Sequence, residues 1–280
     1  MPAFSDELRA TLYEPSGPLQ GLIPLLDQTP RYLYRTHSPR SSGKTTATFV
    51  ASSGAENNYP DILQRDTPHA RFALRRHVTT WARGPKDNLM SWTSSLLFAL
   101  QHAIRREKTD DPISSAQQVK ISILDTSRIH RACFMPSVEM LDAYNIPNVP
   151  GGLTRDHYHG EYLSQGRLDI PEGAMVTFTL QDLTDHGLYG FFPEFADEAA
   201  KERLCKRVTE LRQPFRYLDY GHEPQVCSSE EVELAAAMAE GCCADPSFRL
   251  VLFASLLALK PRDQKDSKVL QKFEQLRWCK

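Results

Sequence analysis

The sequence predicts an α+β fold, with a strand-bearing core at residues 30–183, a lead-in at 1–29 and a C-terminal helical extension at 184–280. Two observations predict it. Short aromatic or branched runs (Tyr32–Tyr34, Val119–Asp125, Ala174–Leu180) are interleaved with stripes of helical period up to about residue 183. Beyond residue 184 the chain turns charged and Ala/Glu-rich, without strand-like runs, and reads as helix throughout. A chain of 280 residues can bury a substantial core as one large domain or two small ones.

Residues 1–29 combine a short apolar pattern with Pro15, Pro18 and Pro24, which predicts a frayed lead-in packed on the surface. Tyr32-Leu33-Tyr34 reads as a short buried strand that ends at Arg35, where a turn rich in Ser, Pro and Gly begins. A guanidinium at the mouth of a strand suits phosphate or another planar anion, and is otherwise a solvated charge. From Lys44 to Pro68 the polar composition predicts a long excursion with little regular structure. Ala70–Trp81 reads as a basic helix with Phe72, Leu74, Val78 and Trp81 on its apolar side, stopped by Gly84-Pro85.

Asn88–Ile104 reads as a strand edge running into a helix with Leu96, Leu97, Ala99, Leu100, Ala103 and Ile104 as its apolar stripe. Hydroxyls at such a junction, Ser94 or Ser95, either cap the helix or stand where its free N–H groups hold an anion or a ribose oxygen. After the strand Val119–Asp125 come a helical series in Phe134–Tyr144, a Pro/Gly loop at Asn145–Gly152 and a strand led by His157-Tyr-His-Gly-Glu-Tyr-Leu163. Glu161 therefore starts a strand beside His157 and His159. It reads as a rim charge or a functional carboxylate, and the histidines as structural or solvent-facing groups rather than metal ligands. The extension is expected to form helices at 194–212, 230–239, 248–259 and 267–278.

The formal net charge of −2 gives no general attraction to nucleic acid or acidic membranes. It leaves room for a local basic face, for which Arg71, Arg75 and Arg76, with Arg105 and Arg106, are the candidates; the alternative is a solvated helix face. The N-terminal residues lack a basic and an apolar signal region, and no apolar run reaches membrane-spanning length. The six cysteines show no paired CxxC spacing, so neither a metal site nor a disulfide framework is expected. A cytoplasmic protein without a membrane segment is expected; oligomeric state is not readable.

Three stretches taken together resemble the ADP-ribosyltransferase fold of the heat-labile enterotoxin and cholera toxin A chains. Tyr32-Leu-Tyr-Arg-Thr-His-Ser-Pro-Arg40 looks like their first strand, Ser91-Trp-Thr-Ser-Ser-Leu-Leu-Phe-Ala99 like their Ser-Thr-Ser strand, and Glu161-Tyr-Leu-Ser-Gln165 like the strand of their catalytic glutamate. The resemblance covers about residues 30–180 and implies a split β-sheet core. Two departures stand out. Trp92-Thr93-Ser94 falls on Ser-Thr-Ser, so Ser91 substitutes for the first serine, and His159 replaces the glutamate that arginine-modifying members carry two residues before the catalytic one.

Ser91–Ala99, the loosely matched Asp125–Tyr144 and Gly160–Gly166 also resemble a fungal intracellular family that includes arginine-containing cyclodipeptide synthases. That resemblance implies a tRNA-dependent enzyme for secondary metabolism, joining arginine from arginyl-tRNA to a second amino acid in a diketopiperazine, with aminoacyl-tRNA as partner and no cofactor. Glu161, Ser91 and Thr93 would be catalytic, and Arg35, Ser94, Tyr34, His159 and Tyr162 would bind substrate. Arg71, Arg75, Arg76, Arg105 and Arg106 would meet tRNA phosphates. Two alternatives stand beside it: an NAD-dependent ADP-ribosyltransferase or NAD glycohydrolase, with NAD as substrate, and a non-catalytic interaction module.

Overall fold

The computed structural model describes residues 12–57, 59–79, 87–110, 113–149, 153–154, 158–196, 204–212, 224–263 and 265–276. It is an α+β protein built on antiparallel strand pairs. The chain divides into two compact units: residues up to Arg35 with Arg40–Ser95 and Ile123–Met175, and Thr36–Pro39 with Leu96–Ser122 and Val176–Lys280. This division cuts across residues 30–183.

In the first unit the chain opens with a 3-10 helix, Gly17–Asp27. The strands are β1 (Tyr32–His37, continuing into the second unit), β2 (Lys44–Thr45), β3 (Phe49–Ala51), β4 (Leu89–Thr93), β5 (Lys120–Asp125, arriving from the second unit) and β6 (Met135–Pro136). After the short pair β7 (Asn148–Val149) and β8 (Leu153–Thr154) come β9 (Glu161–Gln165), β10 (Arg167–Asp169) and β11 (Met175–Thr179, which passes into the second unit at Val176). Its helices are α1 (Thr67–Thr79) and α3 (Ser137–Ala143), with α2 (Leu96–Thr109) lying between them in sequence but in the second unit. The main sheet here has the order β5-β1-β4-β9-β6, and a smaller one has the order β10-β3-β2.

The seam that positions the site is β4 against β9, in the register Ser91↔Leu163, Trp92↔Tyr162 and Thr93↔Glu161. Because strand side chains alternate, Ser91 and Thr93 share a face with Glu161. Trp92 is buried. Its indole N–H donates to Ser164 Oγ at 2.9 Å, and its ring meets Phe134 edge-on at 5.7 Å, which locks the register.

Three expectations are corrected here. The lead-in is not a surface fringe: Leu12, Tyr13, Leu22 and Leu26 belong to the buried core, and residues 1–11 lie outside the described set. Gln165, fully buried on β9, holds the segment down by donating to Leu12 O (3.1 Å) and Asp61 Oδ1 (2.8 Å) while accepting from Ile62 N (3.0 Å). The polar stretch after Lys44 carries β2, β3 and short 3-10 turns, because β10 pairs with β3 and satisfies its backbone. On α1 the buried stripe is Ala70, Leu74 and Val78, whereas Phe72 is 65% exposed; Trp81 and the Gly84-Pro85 stop lie outside the described residues.

The second unit is mainly helical: α2, α4 (Leu180–Asp185), α5 (Leu188–Phe191), α6 (Leu204–Leu211), α7 (Ser229–Cys242), α8 (Pro246–Leu257) and α9 (Ser267–Gln275). Serine and aspartate caps start the last three, and Ser228 with Glu231 forms a capping box on α7. Helices α7 and α8 pack against each other, and Val232, Ala235 and Ala239 on the first and Leu252, Phe253 and Leu256 on the second are buried. Glu231 also binds Arg262 at 2.9 Å and Lys260 at 3.4 Å. Of the helix expected at 194–212, the described residues show a 3-10 turn at Pro193–Ala196 and α6, and residues 197–203 lie outside the described set. Among the described residues no helix is long and apolar enough to cross a membrane.

Candidate active site

Strand β4, helix α1 and strand β9 bring Ser91, His77 and Glu161 together. Helix α1 turns His77 inward because it lies three residues after Leu74 and seven after Ala70, on the buried stripe. Its Nε2 stands 3.0 Å from Ser91 Oγ, and its Nδ1 stands 3.0 Å from Asp87 Oδ2. Asp87 is itself held, accepting the Leu89 N–H at 2.8 Å through Oδ1 and receiving the Gly54 N–H at 2.7 Å on its carbonyl. Burial would raise the Asp87 carboxyl, but the hydrogen bond and charge of His77, the Leu89 N–H and Arg76 outweigh it and hold the group below its ordinary value. An ionised Asp87 accepts only, so it assigns a proton to His77 Nδ1, and in the neutral imidazole Nε2 then accepts from Ser91.

Glu161 completes the cluster. Burial pushes its carboxyl above the ordinary range, and Ser91 and His77 pull it part of the way back. Its Oε2 is sealed from solvent without a hydrogen-bond partner, as is the Ser137 hydroxyl at the start of α3. A carboxyl so placed is a proton acceptor poised nearer neutrality than an exposed glutamate.

The other expected site residues fall around this centre. Arg35 is half-buried; its Nη1 donates to the main-chain carbonyl of Ser91 at 2.8 Å, its Nε to Thr45 Oγ1 at 3.3 Å, and its guanidinium lies 5.8 Å from the Trp92 ring centre. It fixes the strand that carries Ser91. Tyr34 is a core residue paired with Thr93. The Thr93 hydroxyl accepts the Ser95 N–H at 3.1 Å, shaping the turn into α2. Ser94 is exposed, and its N–H and hydroxyl both donate to Gly160 O, at 2.8 and 3.3 Å. Gly160 has φ +80°, and a Cβ there would lie 2.8 Å from Ser94 Oγ, so the close approach requires glycine. His159 is exposed at the same rim and Tyr162 is half-buried beside Trp92; His157 lies outside the described residues.

The arginines expected to meet tRNA lie on two helices, Arg71, Arg75 and Arg76 in the first unit and Arg105 and Arg106 in the second. Arg71 and Arg75 are exposed on α1, Arg71 donating to Asn145 O at 3.0 Å, and Arg76 lies over the Phe72 ring. Arg105 and Arg106 are on α2, in the other unit, where Arg106 faces Asp110 at 3.8 Å. Sequence reasoning missed His77 and Asp87 as site residues. The signal for them was a histidine in register with the apolar stripe of a helix otherwise read for its arginines.

No curated protein matches the chain, and no solved structure does. Residues 28–183, which include every residue of the cluster, match the family described as a domain of unknown function, DUF7587. The chain belongs to the DUF7587 family.

Proposed function

We propose that this protein is an aminoacyl transferase of the arginine-containing cyclodipeptide synthase type, taking arginine from arginyl-tRNA through an ester on Ser91. The observation that carries this reading is the chain Asp87–His77–Ser91, with both links at 3.0 Å. A serine hydroxyl becomes a nucleophile when a base takes its proton and a third group orients that base.

In the first half-reaction Ser91 Oγ attacks the aminoacyl ester carbon and its proton passes to His77 Nε2. The bond to the ribose oxygen breaks, and that oxygen leaves with the proton. In the second, the α-amine of another aminoacyl-tRNA attacks the Ser91 ester; a C–N bond forms, the C–Oγ bond breaks, and Oγ recovers a proton through His77. Ionised Glu161 takes the extra proton of the incoming α-ammonium. The free amine of the resulting dipeptide then attacks its own ester carbon, closing the diketopiperazine and releasing the second tRNA.

Neighbouring positions of Arg35 on β1, Ser91 on β4 and Glu161 on β9 also support an ADP-ribosyltransferase-like core and, as a second reading, NAD chemistry with Glu161 as the key carboxylate. That reading leaves the Asp87–His77–Ser91 chain without a role, which weighs against it. The experiment is peptide mass spectrometry of the purified protein after incubation with arginyl-tRNA, with small-molecule profiling of expressing cells against a Glu161→Ala control. An arginyl mass on the Ser91 peptide, lost in Ser91→Ala, and an arginine-containing diketopiperazine lost in the control support the proposal. No adduct, with release of nicotinamide from NAD, would replace it by the second reading.

A further inference from the structure

A second concavity lies in the first unit, on the side of β4 where the strand begins. It is a cleft of about 600 Å³ walled by β2, β3 and β10, with Asn88 in its lining. Asn88 is 6% exposed; its Oδ1 accepts from Ser52 Oγ at 3.3 Å, but its Nδ2 is buried without an acceptor. A buried amide donor left open costs stability unless something fills it. Above it, Arg167 and Lys44 stand over the Phe49 ring at 4.1 and 5.4 Å from its centre. Tyr59 also lines the cleft, at the exposed surface with the Arg65 guanidinium 4.8 Å from its ring centre.

This lining suits one chemistry. Guanidinium planes and aromatic rings stack nucleobases, an open amide N–H₂ suits a base carbonyl or ring nitrogen, and lysine suits a phosphate. The cleft is not uniformly basic. Glu56 and Asp169 line it as well, and Asp169 accepts from Arg167 at 2.9 Å. A neutral planar base with a single phosphate per unit matches that balance better than a polyphosphate does. The cleft is also coupled to the nucleophile: Asp87 N–H donates to Ser53 Oγ in its wall at 3.2 Å, and Asn88 precedes Ser91 by three residues, roughly 10 Å along a strand.

We propose that this cleft binds a nucleotide, and specifically the terminal unpaired nucleotides of an RNA whose acylated end reaches Ser91; the RNA assignment rests on the function proposed above. The test uses the full-length protein and calorimetric titration with adenosine monophosphate and with the trinucleotide cytidylyl-cytidylyl-adenosine. Arg167→Ala and Tyr59→Ala, both at exposed positions, are each expected to weaken trinucleotide binding about tenfold, from lost base stacking. Trinucleotide binding at least tenfold tighter than the monophosphate supports an RNA end, whereas equal affinities would overturn that part in favour of a free nucleotide. Absence of binding by either, or affinities unmoved by both substitutions, would overturn the site. Acylation of Ser91 by a nitrophenyl ester of arginine, which carries no nucleotide, serves as the control. If that persists in both variants while nucleotide binding is absent, the cleft assignment fails and the serine chemistry stands; if nucleotides bind and Ser91 is never acylated, the reverse holds.

Discussion

His77 Nε2 and Ser91 Oγ lie 3.0 Å apart, although the two residues belong to different elements and are 14 positions apart in sequence. The contact exists because α1 buries the stripe that contains His77 and β4 presents Ser91 toward it. Replacing His77 by glutamine keeps a polar group there but removes a base matched to a hydroxyl proton. We expect acyl transfer to fall by about 10²–10⁴-fold, measured as the rate of Ser91 ester formation, with the thermal midpoint close to that of the parent. An unchanged rate would remove His77 from the chemistry.

The Glu161 carboxyl has a second consequence, for stability. Its native pKa is raised above the ordinary 4.5, so the folded state holds the proton more tightly than the unfolded chain. Stability from this group is therefore full below pH 4.5 and is lost as pH rises through the raised native value. Glu161→Gln should leave stability nearly unchanged at pH 4 and raise it at pH 8, while abolishing transfer at both. Urea titrations at the two pH values check the sign. A variant less stable at pH 8 would mean the ionised carboxylate is well solvated in its site.

Gly54 touches the same relay from behind. A Cβ there would come within 2.6 Å of Asp87 O and 2.9 Å of its carbonyl carbon, both backbone atoms that cannot swing away. Gly54→Ala should cost about 1–3 kcal/mol by overpacking and move Asp87 away from His77, lowering activity beyond the loss of folded protein. Gly21→Ala, where a Cβ meets nothing within 4 Å, is the matched control. Equal activities per folded molecule in the two variants would show that Asp87 tolerates the shift.

Gln165 tests the core. Gln165→Leu is close in size but leaves Leu12 O and Ile62 N without the bonds they make to this side chain, while Asp61 Oδ1 keeps only the Leu63 N–H. Each buried group left unsatisfied costs about 1–3 kcal/mol, so we expect a loss of at least ~2 kcal/mol in urea unfolding after partial rescue by water. A neutral result would mean that the segment at Leu12 is not tied to β9 through this side chain.

The class of fold and the strands that carry Arg35, Ser91 and Glu161 are legible in the chain, because the apolar run Tyr32–Tyr34 and the stripe from Leu96 to Ile104 are local patterns set by which face must be buried. The caps of the C-terminal helices are equally local in origin, since Ser228, Asp245 and Asp266 bond N–H groups within three residues of themselves. What the sequence left undecided depends on contacts remote along the chain. β3 pairs with β10 across more than a hundred residues, and Leu12 reaches the core through Gln165, 153 positions away. That His77 faces Ser91 and Asp87 faces His77 follows from packing and from no local pattern. Neither has a local signature, since a histidine on a helix and an aspartate before a strand become a relay only when the helix packs on the strand and excludes the water that would otherwise hydrate them.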